Sequence, residues 1–454
     1  MNKKDFKKYM QQGLGRCIIT LRSSKNIEKY KDIVLWGCLH NLSYDTQCEG
    51  TRADYVYKLT TYFQDEKYFL MPLVEAFEKL PCHFDWLFSH YCELLRNFAE
   101  NGNNAAKEAL QKKYNYLLST LLNKRRFSKY DFERDNFERI CLAMSFIDGI
   151  DGLLVIADDM GRLFKENPHY SGDDFDWFCS TMDDGIGEKK LNTILKRESN
   201  KSENIRCFYE EYLRSIEATQ SIVRKPIEIP STEEIKNEVM SSGKLSLASR
   251  VRFSRRAKND EKVKLAEEAI AETNFDVKAE LLSVFAFCDE DFPLSHKTII
   301  EYSKSSHERL SEVAFDVLTN CQSDTVREYA VELLDNGKYK SYALKMLLCN
   351  YTPDIKQLLL SEIYKIKVDY KDESDWHSIG SKIISVCDQN VRLPKEFFIY
   401  VYNTTLCSFC REYAMRTLSK HRWLTRDIIE ECRYDSNYHI SQYINRYYPS
   451  VKQT

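Results

Sequence analysis

The sequence predicts an all-α protein, an α-solenoid of stacked helical hairpins in the C-terminal half preceded by a less regular helical domain. Three observations predict it. First, the pattern Thr325-Val326-Arg327-Glu328-Tyr329-Ala330-Val331-Glu332-Leu333-Leu334 returns as Phe409-Cys410-Arg411-Glu412-Tyr413-Ala414-Met415-Arg416-Thr417-Leu418. Self-similarity of this kind marks stacked units rather than one closed core. Second, apolar residues recur four apart, in segments whose centres fall roughly 16 residues apart. Third, glycine (14) and proline (9) are scarce among 454 residues, as a helical chain requires.

In the first half the periodicity predicts helices over 4–22, 27–39, 51–63, 66–80, 84–99, 103–122, 131–147 and 151–165. Ser24 or Asn26, Asp85 and Asp131 are the expected caps. Asp148-Gly149-Ile150-Asp151-Gly152 resembles a calcium-loop fragment but lacks the later ligands, and reads as a helix-breaking turn. The stretch Asn167-Pro168-His169-Tyr170-Ser171-Gly172-Asp173 breaks the pattern, and helices follow near 173–181, 187–198 and 203–222. Phe84-Asp85-Trp86 recurs as Phe175-Asp176-Trp177, and Asp375-Trp376 echoes it. A capping Asp followed by a Trp that anchors the first turn accounts for this; a weak duplication is the alternative.

A boundary is expected at 224–231, where Pro226 and Pro230 disfavour a continuous helix. Residues 1–223 then form the irregular domain and 232–454 the repeat domain. Ser231-Thr232-Glu233-Glu234 is a helix-start signature. Beyond it, Val277 to Phe285, Leu310 to Leu318, Tyr342 to Leu347, and Ile355 to Leu359 and Ile363 carry weaker copies of the apolar spacing. The turn Asn320-Cys321-Gln322-Ser323-Asp324 ends one helix and offers Asp324 as the next N-cap; Asp335-Asn336-Gly337-Lys338 and Asn350-Tyr351-Thr352-Pro353-Asp354 serve similarly. Equivalence of the two strong copies predicts burial of Val326, Ala330, Leu334, Cys410, Ala414 and Leu418.

Over roughly 260–440 the chain resembles the HEAT repeat family. Ser323-Asp324-Thr325-Val326-Arg327 looks like the start of that family's second helix, whose Arg commonly bonds neighbouring repeats. The 324–334 copy is close, the others depart at the Asp or the Arg, and armadillo-like or other two-helix repeats fit the same spacing. Such a resemblance implies a fold and not an activity.

The formal net charge of −3 gives no global bias toward nucleic acid or membrane. Tyrosine (29) and phenylalanine (24) are abundant, as gap fillers between stacked helices would be. Fifteen cysteines without disulfide spacing, a charged start at Met1-Asn2-Lys3-Lys4-Asp5 and no long apolar run predict a cytoplasmic chain that does not enter a membrane.

Three constellations are candidates for chemistry. The segment 36–52 is crowded with polar groups. His40 with Asp45 or Glu49 offers acid–base groups, Arg52 an anion contact and Tyr44 a further polar contact. Caps and loop-closing bonds explain the same residues. Arg250, Arg252, Arg255, Arg256 and Lys258 form the densest basic patch, able to hold phosphates. Asp260, Glu261, Glu267 and Glu268 follow at once, so a self-neutralised solvated face is the plainer expectation. Lys124-Arg125-Arg126 poses the same question on a smaller scale. Cys407-Ser408-Phe409-Cys410 is a CxxC that His421, Cys432 or His439 could complete as a zinc site. The repeat alignment instead places Cys410 where Val326 faces the core, so no metal and no cofactor is expected. Phosphate-loop, dinucleotide, HExxH and GxSxG signatures are absent.

The expectation is therefore a non-enzymatic scaffold holding a protein partner on a concave surface. One alternative is a nucleic-acid-binding protein with a basic inner face, like the DNA glycosylases among HEAT-like proteins. The other is an enzyme with its site in 40–52.

Overall fold

The computed structural model describes residues 1–81, 86–124, 132–167, 173–221, 228–288, 290–366, 374–387 and 391–449. Asp85, Asp131, Arg125, Arg126, residues 168–172 and 224–227, and the side chains of Asp176, Trp177 and Asp375 lie outside the described residues. Among those described, the regular structure is entirely helical, with 27 α-helices and no strand. The chain divides into two compact units: residues 1–223 with 425–454, and residues 224–424.

In the first unit, the helix expected over 4–22 is two helices. Asn2 caps Lys3–Gln12 by accepting the Asp5 amide at 2.8 Å, and Gly13 ends it at φ 74°, which glycine adopts without strain. The second helix is Arg16–Ser23. Residues near the chain's end enter at this break. A Cβ on Gly13 would lie 1.9 Å from Ser436 Oγ, and one on Gly15 2.0 Å from the Glu431 carbonyl oxygen. The Ser436 amide donates to the Gly13 carbonyl at 2.8 Å, and Arg16 pairs with Glu431 at 2.8 Å.

Longer helices build the rest of this unit, among them Asn104–Leu122, Phe132–Ile147, Gly149–Glu166 and Glu203–Ser221. Gly149–Glu166 crosses the start of Glu203–Ser221 so closely that a Cβ on Gly161 would meet the Asn204 carbonyl oxygen at 1.8 Å. Phe164, Phe175 and Phe208 meet beside this crossing, with ring centroids 5.0 Å and 5.6 Å apart for Phe164–Phe175 and Phe175–Phe208. Phe175 and Phe208 are buried, and each such ring contributes on the order of 2 kcal/mol of transfer free energy.

The second unit opens with the capping box its sequence signals: Ser231 accepts the Glu234 amide and Glu234 returns the bond to the Ser231 amide at 2.7 Å. Its described helices run to at most 13 residues, short enough to need tertiary support. Neighbours in sequence pack as pairs: His296–Ser303 with Glu308–Leu318, Asp324–Asp335 with Lys340–Cys349, and Lys395–Thr404 with Ser408–Lys420. Ser374–Ser385 packs on Lys340–Cys349, Lys395–Thr404 and Ser408–Lys420.

Polar ties join successive turns. Asp291 holds His296 Nε2 at 2.9 Å and the Gln322 amide at 3.2 Å. His296 Nδ1 lies 2.8 Å from Ser323 Oγ, and the Ser323 amide donates to Asn350 Oδ1 at 2.8 Å. Asn350 Nδ2 donates back to the Cys321 carbonyl at 2.8 Å, and Lys382 Nζ reaches Asn320 Oδ1 at 2.8 Å.

Two expectations need correction here. The N-cap of Asp324–Asp335 is Ser323, which accepts the Val326 amide at 3.3 Å, while Asp324 pairs with Arg327 at 2.9 Å inside the first turn. Ser323 takes the cap because its backbone is extended, at φ −161° and ψ 158°, while Asp324 is already the first helical residue. Of the six residues expected in the core, Val326, Ala330, Cys410, Ala414 and Leu418 are buried, but Leu334 is half-exposed and Leu333 takes its place.

Candidate binding cleft

A recess of about 910 Å³ in the second unit lies between the ends of several helices. Tyr351 and Pro353 come from the turn before Lys356–Ile363, Arg392 and Pro394 from the entry to Lys395–Thr404, and Lys420, His421 and Trp423 from the exit of Ser408–Lys420. Phe398 forms part of its apolar wall.

The exit turn is the unusual part. Trp423 N–H donates to the Leu418 carbonyl at 2.8 Å and Arg422 N–H to the Ser419 carbonyl at 2.9 Å, closing the helix with Arg422 at φ 59°. That position usually belongs to glycine, and a side chain there costs about 1 kcal/mol. The turn sends Trp423 back onto His421, ring centroids 4.6 Å apart, and toward Phe398 at 6.4 Å.

Charge in the cleft is one-sided. Lys356 pairs with Glu396 at 2.9 Å, an interaction that holds the Glu396 carboxyl below its ordinary pKa. Arg392, Lys420 and His421 are exposed and have no ion-pair partner among the described residues. No carboxylate is among the described lining residues. A second recess of about 630 Å³ shares Tyr351, Pro353, Val391 and Arg392 and extends the groove to Ser323, Asp324, Arg327 and Asn350, where the Asp324 carboxylate is paired with Arg327 at 2.9 Å. The two together suit an extended chain better than a compact small molecule.

The polar segment of the first unit is largely tied into the fold. Asp45 caps Thr46–Glu49 by accepting the Gln47 and Cys48 amides, each at 3.1 Å. Glu49 and Arg52 form an ion pair at 2.8 Å with both side chains 3 % exposed, and Arg52 also donates to the Gln11 carbonyl. Thr51 donates to Glu93, a carboxyl that burial raises above its ordinary pKa. His40 is exposed, stacks on Trp36 at 4.6 Å and engages the Trp36 carbonyl at 2.8 Å through Nδ1. Tyr44 is half-buried. The structure thus joins Glu49 to Arg52 and gives His40 and Asp45 separate local bonds. Glu93 lies outside the stretch that the sequence singled out, although its partner Thr51 lies within it.

Of the basic patch, Arg250 pairs with Glu280 at 2.5 Å, and Arg309 holds the same carboxylate at 2.8 Å. Arg252, Arg255, Arg256 and Lys258 are exposed without an ion-pair partner among the described residues. Two of the acids that follow point elsewhere: Glu261 accepts from Thr232 at 2.6 Å, and Glu268 pairs with Lys236 at 3.2 Å. Lys124 pairs with Glu133 at 3.1 Å.

One histidine is unsuited to proton transfer at neutral pH. His90 is fully buried against the Gly37 carbonyl at 3.1 Å, and burial lowers its pKa to about 4. His296 has both ring nitrogens engaged, and its neighbour Cys321 is a buried thiol whose pKa burial raises. The histidine nearest the CxxC is His377, with Nε2 3.6 Å from Cys410 Sγ; His421 instead lines the cleft, and Cys432 and His439 belong to the first unit. No sequence spacing marks His377, which is brought there by the packing of Ser374–Ser385 on Ser408–Lys420.

No family model matches the chain, and no curated protein matches it. Among solved structures, the crystal structure of an engineered protein from a structural-genomics consortium aligns over 93 % of this chain and 99 % of its own, at 13 % identity. Its TM-score of 0.22 is too low to carry any argument about fold or function.

Proposed function

We propose that the chain is a non-enzymatic, HEAT-like helical-repeat scaffold whose second unit holds an acidic, extended segment of a protein partner. The observation that carries the reading is the cleft at Tyr351, Arg392, Phe398, Lys420 and Trp423, where aromatic walls and unpaired cations meet without a lining carboxylate among the described residues. Aromatic anchors and arginine supply most of the binding energy at protein interfaces, and complementary charge sets specificity. Pairwise helix packing and the ties from Asp291 through His296 and Ser323 to Asn350 support a solenoid, whose stacked turns build such grooves. No disulfide joins any two of the described cysteines, which fits a reducing cytoplasm. No described helix is long and apolar enough to cross a membrane.

Fluorescence anisotropy of a labelled peptide alternating Glu or Asp with Leu and Phe tests this. Saturable binding should weaken at least ~10-fold in Arg392→Glu/Lys420→Glu. Equal binding of a lysine-rich control, or an unchanged affinity in the variant, overturns it.

A second reading rests on Arg252, Arg255 and Arg256, exposed on one helix and unpaired among the described residues. Such a face suits nucleic-acid phosphates. Replacing all three with Ala should then weaken oligonucleotide binding and flatten its salt dependence, by close to one counterion per lost contact. Unchanged gel-shift titrations at two salt concentrations remove that reading.

A further inference from the structure

The two copies of the repeated motif differ at their N-caps. In the first copy Ser323 caps the helix, Val326 fills the core below it, and His296 Nδ1 sits 2.8 Å from the cap oxygen. In the second copy the equivalent residues are Cys407 and Cys410, and the histidine beside them is His377. Cysteine is not among the residues preferred at an N-cap, and its sulfur accepts the Cys410 amide at 3.5 Å. Both changes thus put a thiol where the first copy has a hydroxyl or a methyl group.

These thiols converge with the imidazole. Cys407 Sγ, Cys410 Sγ and a ring nitrogen of His377 all lie within 4.8 Å of one another. The closest measured edge, His377 Nε2 to Cys410 Sγ, is 3.6 Å. A tetrahedral zinc ion with Zn–S of ~2.3 Å and Zn–N of ~2.0–2.1 Å has an S···N edge of ~3.6 Å. Ser381, one turn after His377 on the same helix, puts its hydroxyl 3.8 Å from Cys410 Sγ, placed to donate to a thiolate. Both cysteines are buried, 6 % and 7 % exposed, and His377 is half-buried. The cluster formed by Asp291, His296 and Cys321 differs in offering one buried thiol and an exposed carboxylate in place of two buried thiols.

We propose that Cys407, Cys410 and His377 bind zinc, stapling Ser374–Ser385 to the start of Ser408–Lys420. Binding releases the two thiol protons to solvent and involves no oxidation. The ion takes two thiolates and one imidazole from these residues, with water in the fourth position.

The test uses the full chain, reduced and stripped of metal, titrated with Co²⁺ and then displaced with Zn²⁺. Wild type should bind one ion, with thiolate-to-cobalt charge transfer and the intense visible bands of a four-coordinate site. Cys407→Ser/Cys410→Val restores the first copy's residues and keeps every other cysteine. It should fold like the metal-free wild type and lose at least ~100-fold in affinity, since outer-shell losses alone cost 10–100-fold. His377→Ala should keep some charge transfer and lose the four-coordinate visible intensity. Alkylation with iodoacetamide, mapped by mass spectrometry, gives a readout on wild type alone: Zn²⁺ should protect Cys407 and Cys410 above the other cysteines. Absence of the charge-transfer band in wild type, its persistence in the double variant, unprotected Cys407 and Cys410, or a disulfide between them in the isolated protein overturns the proposal.

Discussion

The helices Asp324–Asp335 and Ser408–Lys420 carry the same Arg-Glu-Tyr-Ala motif and bury different parts of it. In the first, Tyr329 is 7 % exposed and bonds Ser303 at 2.9 Å, while Arg327 stays on the surface, its side chain 32 % exposed. In the second, Tyr413 is 60 % exposed and Arg411 is fully buried. The buried arc runs through Val326, Tyr329, Ala330 and Leu333 in one helix, and through Cys410, Arg411, Ala414, Met415 and Leu418 in the other. At ~100° per residue this amounts to a rotation of roughly 80° about the helix axis. Within the Arg-Glu-Tyr-Ala motif the shared buried element is the alanine, whose small side chain lets a neighbouring helix approach; four residues before it, Val326 and Cys410 are buried in both copies as well. The arginine and tyrosine on either side of it take whichever environment the neighbours supply.

The strongest way to break the comparison is at its common point. Ala330→Asp and Ala414→Asp should each destabilise the second unit by about 3 kcal/mol or more, since each buries a charge in a packed site. Hydrogen exchange over 324–349 and 395–420 during denaturation reads this out. Wild-type protection in either variant would remove the equivalence of the two helices.

The arginines should separate the copies. Arg411→Ala empties a fully buried site and should cost on the order of 3 kcal/mol, through lost packing as well as lost bonds. Arg327→Ala removes an exposed pair within one helical turn, worth about 0.5 kcal/mol or less. Similar losses from both would mean that the helices are not rotated. The tyrosines sharpen the same point. Tyr329→Phe should cost about 1 kcal/mol, the usual value of a buried hydrogen bond, and Tyr413→Phe nothing measurable in a urea melt.

A smaller effect concerns the caps. Asp291 raises the pKa of His296 above its ordinary value, chiefly by accepting its hydrogen bond. The folded form therefore holds the proton more tightly than the unfolded chain. The resulting stability is fully present below the ordinary histidine pKa, and is lost as pH rises through the folded value. Melting wild type and His296→Gln between pH 5 and pH 8, on the order of the range histidine spans, should show the wild-type advantage shrinking as pH rises. An advantage that grows with pH contradicts the Asp291 contact.

Much of the second unit is legible in the sequence because its signals are local. Ser231-Thr232-Glu233-Glu234 is a capping box and forms one, and the four-residue spacing locates the paired helices. Asp324 and Leu334 mislead because choices between adjacent residues, Ser323 against Asp324 and Leu333 against Leu334, are settled by geometry and neighbours. In the first unit the predicted helix over 4–22 breaks at Gly13 and Gly15, positions whose meaning depends on Ser436 and Glu431 more than four hundred residues away. The cleft had one visible sign, His421-Arg422-Trp423 at a helix end where glycine is usual. His377 had none, because only packing sets its distance from the CxxC.

The groove from Tyr351 to Trp423 is proposed to receive an acidic partner segment. Hydrogen exchange of the full chain with and without the acidic peptide tests it most directly. Slowed exchange is expected over 351–356, 391–398 and 417–423, with no change over 250–258 and loss of that footprint in Arg392→Glu/Lys420→Glu. Protection confined to 250–258, or none in the groove at saturating peptide, would contradict it.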